Sequence, residues 1–258
     1  MRDALHAEWT KLRTVAGPAW LLTATVVLSV AVSAAAAAAT RCPAGTACPV
    51  DTAKLSLTGI QLGQAVVAIL ATGLISTEYS TGMIHITFTA MPRRLTVLGV
   101  KAALLTGVVL AAGALAALGS LAVGRLILPG NGFTAARGFP PLSLADGDVL
   151  RATLGSALYL ALIALLSLGI ATIIRDSAAA IGIILGLLYL VPIVAHVLGP
   201  TWYRHLEQAG PMTAGLAIQA SSGLRHLPIG PWPGLGVLTA WAAGALLAGG
   251  LLLRRRDA

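Results

Sequence analysis

Six long apolar runs, at about 19–39, 58–77, 95–123, 149–174, 178–199 and 234–253, alternate with short stretches that hold nearly all the charge. A helix needs about 20 predominantly apolar residues to cross the hydrocarbon core of a bilayer, and each run meets that length. The pattern predicts an all-α membrane protein with six transmembrane helices, folded as a single domain over 1–258. Two further helices are expected outside the spans. One is an amphipathic helix at 1–17, suited to the membrane interface; the other is a short helix in the polar stretch 78–94, between spans two and three.

In 1–17, Leu5, Trp9, Leu12 and Ala16 recur at helical spacing, with Lys11 and Arg13 between them. That spacing suits a helix lying at headgroup depth with Trp9 as its aromatic anchor. A solvated amphipathic tail is the alternative. Gly17-Pro18 is expected to break this helix and open the next. The run 19–39 is too long, and its leader too acidic, for a cleaved signal peptide. The loop 40–57 holds the only two cysteines, Cys42 and Cys48. If the loop lies outside they can form a disulfide; otherwise they are two free thiols.

In span two, Gly59 and Gly63 form a small-xxx-small pair that permits close helix packing, and Gly182 and Gly186 repeat it in span five. Gln61 and Gln64 sit one turn apart, where amides need a partner helix or a wet cavity. Interhelical hydrogen bonding is the simpler reading, and a polar position in a transport pathway is the alternative. In span five, Pro192 should kink the helix, and His196 lies beyond it as either a pathway residue or an ordinary interfacial histidine. Lys101 lies near one end of span three, where its stem can snorkel. The stretch 125–148 is rich in Gly and Pro and reads as a loop. The short apolar piece 212–220 cannot span, but it could dip into the membrane and return.

The stretch 78–94 is the most polar part of the chain's middle. Gly82 and Pro92 punctuate it, leaving room for about two helical turns. Its apolar positions alternate with His85 and threonines at strand period. A lone strand there would have unpaired edges, so a helix is still expected. His85 is read as an interfacial polar residue rather than a ligand.

Composition agrees with a membrane bundle. Hydrophobic residues make up 57% of the chain and charged residues 10%, against about a quarter charged in soluble domains. The net charge of +8 fits retention of basic loops in the cytoplasm. No basic stripe interleaved with aromatics supports nucleic-acid binding. Basic residues cluster most densely at both termini, around 93–101 and at Arg175, which places both termini inside. All nine Asp and Glu are expected in loops or terminal segments, which counts against a proton-coupled carrier. The chain shows no phosphate-binding loop, no nucleophile elbow and no clustered metal ligands. No enzyme activity is expected of it.

The N-terminal Glu8-Trp9-Thr10-Lys11-Leu12-Arg13-Thr14 and the segment from Glu78-Tyr79-Ser80-Thr81-Gly82 to Met91-Pro92-Arg93-Arg94 resemble the permease subunits of type-two ABC exporters, of the kind common in high-GC Gram-positive bacteria. Glu78, Gly82, Pro92, Arg93 and Arg94 match that family's order and spacing, while Met83 and His85 depart from it. The resemblance implies a bacterial cell-membrane subunit that forms the translocation pathway with a second permease subunit, identical or a sibling. It also implies separate ATPase subunits that bind ATP and Mg, with no cofactor on this chain. The segment 78–94 would be the coupling helix that docks on the ATPase, and the cargo a hydrophobic or amphipathic compound moved outward. A secondary carrier or an immunity or scaffold protein is the alternative.

Overall fold

Val15 separates the first two helices with an extended backbone (φ −90°, ψ 123°), so the break falls ahead of the Gly17-Pro18 pair that was expected to make it. Pro18 sits in the first turn of the second helix, where a missing N–H leaves no hydrogen bond unmade. The computed structural model describes residues 2–43, 48–80, 94–197 and 200–256. In chain order the helices are α1 (Arg2–Thr14), α2 (Ala16–Ala39), α3 (Thr52–Ser56), α4 (Ile60–Ser80), α5 (Arg94–Ile127), α6 (Gly147–Ile174), α7 (Ser177–Leu185), α8 (Val191–Val197), α9 (Pro200–Ala209), α10 (Pro211–Leu216) and α11 (Pro231–Arg256). There is no strand among the described residues. Six helical segments are long and apolar enough to cross a membrane. The chain is an all-α, multi-pass membrane protein.

The central span is α6, which packs against α4, α5 and α11. Tyr159, Leu160, Ile163 and Leu168 on it are fully buried. Large apolar side chains such as Trp20, Leu115, Leu154, Ile183 and Leu247 face outward. That arrangement would be an aggregation hazard in water and is ordinary where the solvent is lipid.

Gly59 and Gly63 lie where α2 crosses the start of α4. A Cβ at Gly59 would come within 1.8 Å of the Ser29 carbonyl oxygen, and one at Gly63 within 2.3 Å of Ser29 Oγ. The Gly59 N–H donates to Ser33 Oγ at 3.0 Å, so a polar bond joins the two backbones at their closest approach. Gly182 and Gly186 differ from expectation. A Cβ at either would meet nothing, so within the chain this pair brings no helices together.

The fifth span is interrupted rather than simply kinked. A π-helical turn, Gly186–Leu190, separates α7 from α8 and ends two residues before Pro192. Proline has no N–H for the carbonyl four residues back, and a wider turn is one way for the backbone to absorb that loss. His196 lies in α8, and its side chain is outside the described residues. Of the two span-two glutamines, Gln64 bonds a neighbouring helix through its side-chain amide oxygen and Gln61 through its backbone carbonyl. Tyr159 donates to Gln64 Oε1, and Tyr189 donates to the Gln61 carbonyl.

The bundle end that holds the 40–57 loop is more ordered than a polar loop predicts. Cys42 and Cys48 are disulfide-bonded. Asp51 caps α3 by accepting from the Lys54 N–H at 3.0 Å. The same carboxylate accepts from Ser221 N–H at 2.6 Å, Ser221 Oγ at 2.7 Å and Ser222 N–H at 2.9 Å, which ties this loop to the connection before α11. Burial would raise the Asp51 pKa, but these bonds outweigh it and hold the carboxyl below its ordinary range. Asn131 donates to Ala37 O and Arg137 to Cys42 O, each at 2.8 Å. The 125–148 stretch thus forms two short 3₁₀ turns over a small apolar cluster that includes Leu121, Phe133 and Leu142. The 212–220 piece enters the bundle. A Cβ at Gly155 would overlap Ile218, and one at Gly215 would touch Tyr159, about 18 Å along α6 from its start.

Candidate functional site

At the opposite end of the bundle, four charged side chains from three helices converge. Glu8 and Lys11 come from α1, Glu78 from the last turn of α4, and Lys101 from the third turn of α5. Lys101 Nζ donates to Glu8 Oε2 at 2.7 Å, to Glu78 Oε1 at 2.8 Å and, more weakly, to the Leu74 carbonyl at 3.4 Å. Lys11 Nζ donates to Glu8 Oε1 at 3.1 Å and to Glu78 Oε1 at 3.0 Å. Glu8 and Lys101 are each 3% exposed and Glu78 6%. The Lys11 side chain, at 40%, forms the outer rim. The cluster is formally neutral, with two carboxylates and two ammoniums that can offset each other's loss of hydration.

Local sequence explains the convergence. Glu8, Lys11 and Leu12 fall at i, i+3 and i+4 on α1, and so on one face. That face turns toward α4 and α5, while Trp9 on the other side is largely exposed. The side of α1 that meets the bundle therefore carries the charged pair Glu8 and Lys11. Glu78 sits at a helix C-terminus, where the backbone dipole disfavours an anion. It persists there because both lysines share its Oε1.

Two expectations are corrected here. Glu78 belongs to a membrane-spanning helix and is buried, so the acids are not confined to loops and terminal segments. Lys101 does not snorkel; its ammonium is enclosed and bonded on all three protons. Burial would raise the Glu8 pKa, but Lys101 and then Lys11 outweigh it and hold the carboxyl below its ordinary value. For Lys11, burial would lower the pKa, but bonds and charge from Glu78 and Glu8 raise it above the ordinary lysine value.

Beside the cluster lies a cavity of about 400 Å³. The four charged residues line one part of it, and Leu12, Val15, Pro18, Leu21, Leu70 and Leu74 line much of the rest. Among the described residues, Glu78 Oε2 has no hydrogen-bond partner.

Of the proposed coupling segment, Gly82, Met83, His85, Pro92 and Arg93 lie outside the described residues. The helix flanking it on one side ends at Ser80, and the helix on the other begins at Arg94. The structure brings Glu78 and Lys101, which flank that segment, onto Glu8 and Lys11 of α1. Arg13, also expected in the interfacial helix, is exposed and outside the cluster. Tyr79, next to Glu78, stacks under the Arg175 guanidinium, 5.0 Å from ring centroid to Cζ. No group of three His, Cys, Asp or Glu placed to hold a metal occurs among the described residues.

Sequence reasoning had Glu8, Lys11, Glu78 and Lys101 in view but did not join them. The available signal was two opposite charges one turn apart on α1, together with an acid and a base near adjacent ends of spans two and three.

Comparison with models of protein families and with curated proteins returns no match.

Proposed function

We propose that this chain is the membrane-spanning subunit of an ATP-driven ABC exporter, working as a pair of permease subunits above separate ATPase subunits. The observation that carries the reading is the junction of Glu8 and Lys11 with Glu78 and Lys101. An exporter permease must convert a push on its cytoplasmic segment into movement of its spans. Here the helix preceding span one is fastened to both flanks of the 81–93 segment, so a displacement of that segment is delivered to α1, α4 and α5 together. The reading also draws support from the sequence motifs at Glu8–Thr14 and Glu78–Arg94.

On this reading the charged-cluster end faces the cytoplasm. The basic positions Arg13, Arg175, Arg254 and Arg255 at that end fit such an orientation. The Cys42–Cys48 disulfide at the other end fits an oxidising exterior. The residues 82–93 are assigned to docking on the ATPase, and the cargo class is an amphipathic or hydrophobic compound. A secondary carrier is the second reading, favoured by the buried Glu8 and Glu78. Both carboxylates are bonded to lysines at a bundle end rather than standing in mid-membrane, so the exporter reading is preferred.

The test is gentle isolation from the native membrane, with 82–92 scrambled as control. Co-isolation of an ATPase with the wild type, and its loss with the scramble, is the expected result. No ATPase in either preparation overturns the exporter reading.

A further inference from the structure

Span five is fastened to span two at both ends of α4. At the charged-cluster end, Tyr79 in the last turn of α4 stacks on the Arg175 guanidinium. At the disulfide end, Tyr189 in the π-helical turn donates to the carbonyl of Gln61 in the first turn of α4. The two contacts lie about 27 Å apart along α4. Between them Ala180, Ile184 and Leu188 of span five are fully buried. On the opposite side, a Cβ at Gly182 or Gly186 would meet nothing among the described residues, and Ile183 is exposed. Lipid can replace an apolar contact between two helices, but it cannot replace a hydrogen bond or a cation–π contact. The two tyrosines are therefore what distinguishes a seated span five from one that has moved off α4. The joint that would permit the movement is also present. Among the described residues, Arg175 is the one non-glycine with a positive φ (φ 64°, ψ −2°). That conformation is costly for a side chain with a Cβ and persists only where the surroundings hold it. Asp176 caps α7 by accepting from the Ala179 N–H at 2.8 Å, so α7 is a rigid helix from its first turn and the joint is confined to two residues.

We propose that span five is a hinged lever. It is latched against span two by the Tyr79–Arg175 stack and the Tyr189–Gln61 bond. With both contacts parted it swings about Arg175, whose backbone then leaves the left-handed region. Ile193 lies about 27 Å from the hinge, so a swing of about 10° moves it by about 5 Å. The lever does not depend on the exporter reading; it needs only a chain whose spans five and two meet as they do here.

The experiment is a pulsed electron–electron double-resonance distance between spin labels on Leu154→Cys in α6 and Ile193→Cys in α8, with the full-length chain in lipid vesicles. Both positions are exposed, and the two native cysteines are bonded to each other and take no label. Tyr189→Phe removes one hydroxyl and keeps the ring, and Tyr79→Leu removes the ring that faces Arg175. Each should raise the longer-distance population about fivefold, as the loss of one such contact would. The two effects should multiply in the double variant, because the contacts are far apart and share no partner. Arg175→Gly removes the stack and the backbone strain together, so it should shift the population less than Tyr79→Leu does. An unchanged distribution in Tyr189→Phe, or a shift by Arg175→Gly as large as that by Tyr79→Leu, overturns the proposal. Tyr189→Phe decides alone if Tyr79→Leu fails to fold.

Discussion

Lys101 on α5 and Glu8 on α1 are bonded at 2.7 Å across 93 positions of sequence, and both side chains are enclosed. Removing one partner of a buried ion pair leaves the other charge uncompensated, and that outweighs the value of the pair itself. Lys101→Met should therefore destabilise the protein by about 3 kcal/mol. Lys11→Met, at the exposed rim, should cost about 1 kcal/mol or less. Thermal unfolding in a single detergent checks the order; equal losses would mean that the cluster is not organised around Lys101. Glu8→Gln in the Lys101→Met background should recover part of the loss.

The cluster also sets an acid limb. The Glu8 carboxyl titrates below its ordinary value in the folded protein. Its stabilisation is present above the ordinary carboxyl range and is lost as pH falls through the lower folded value. Lys11 is raised, so its contribution is present below the ordinary lysine value and is lost as pH rises through the higher folded one. Asp51 is lowered at the other end and follows Glu8 in sign. Melting temperature should fall as pH drops below the ordinary carboxyl range. Glu8→Gln and Asp51→Asn should each flatten that fall, and they should add, because the two sites share no partner.

Asp51 combines a helix cap with a clamp on Ser221 and Ser222. Asp51→Ala should cost about 2 kcal/mol and expose the connection before α11 to protease. Asp51→Asn keeps an acceptor of similar shape and should cost less. Identical losses for the two would show that the oxygen an asparagine keeps contributes nothing.

Two glycines give opposite expectations. Gly59→Ala drives a methyl into the Ser29 carbonyl and should cost about 2 kcal/mol by separating α2 from α4. Gly182→Ala meets open space in a helix and should be neutral or stabilising by about 0.5 kcal/mol. Paired melting curves decide it, and a tolerated Gly59→Ala would show that the α2–α4 approach is looser than drawn.

The spans were legible because lipid removes the usual ambiguity. A run of about 20 apolar residues has one stable backbone solution there. The close approach at Gly59 and Gly63 was legible for a similar reason, since small residues four apart leave a groove. Gly182 and Gly186 carry the same pattern and make no such contact, because the pattern permits an approach without supplying the opposing helix. The ionic cluster was illegible as a unit. Its charges are joined across 67 and 93 positions, and each had an adequate local explanation. Lys101 read as a residue that would snorkel, and Glu8 as part of a polar helix face. The Asp51 clamp was hidden in the same way, since its serine partners lie 170 and 171 positions away.

The π-helical turn at Gly186–Leu190 changes how span five should be counted. Ala180, Ile184 and Leu188, spaced four apart, all point into the core. A π turn carries one residue more than the α-helical count, and each α-helical residue turns the chain by about 100°. Everything after Leu190 is therefore rotated by about that amount relative to an uninterrupted helix. Ile193 and Val197 reach the outside on the rotated part, at 60% and 82% exposure. Removing a single residue from Gly186–Leu190 would act as a twist more than as a shortening. It would carry the outward side of α8 round to a different neighbour while leaving α7 seated where it is.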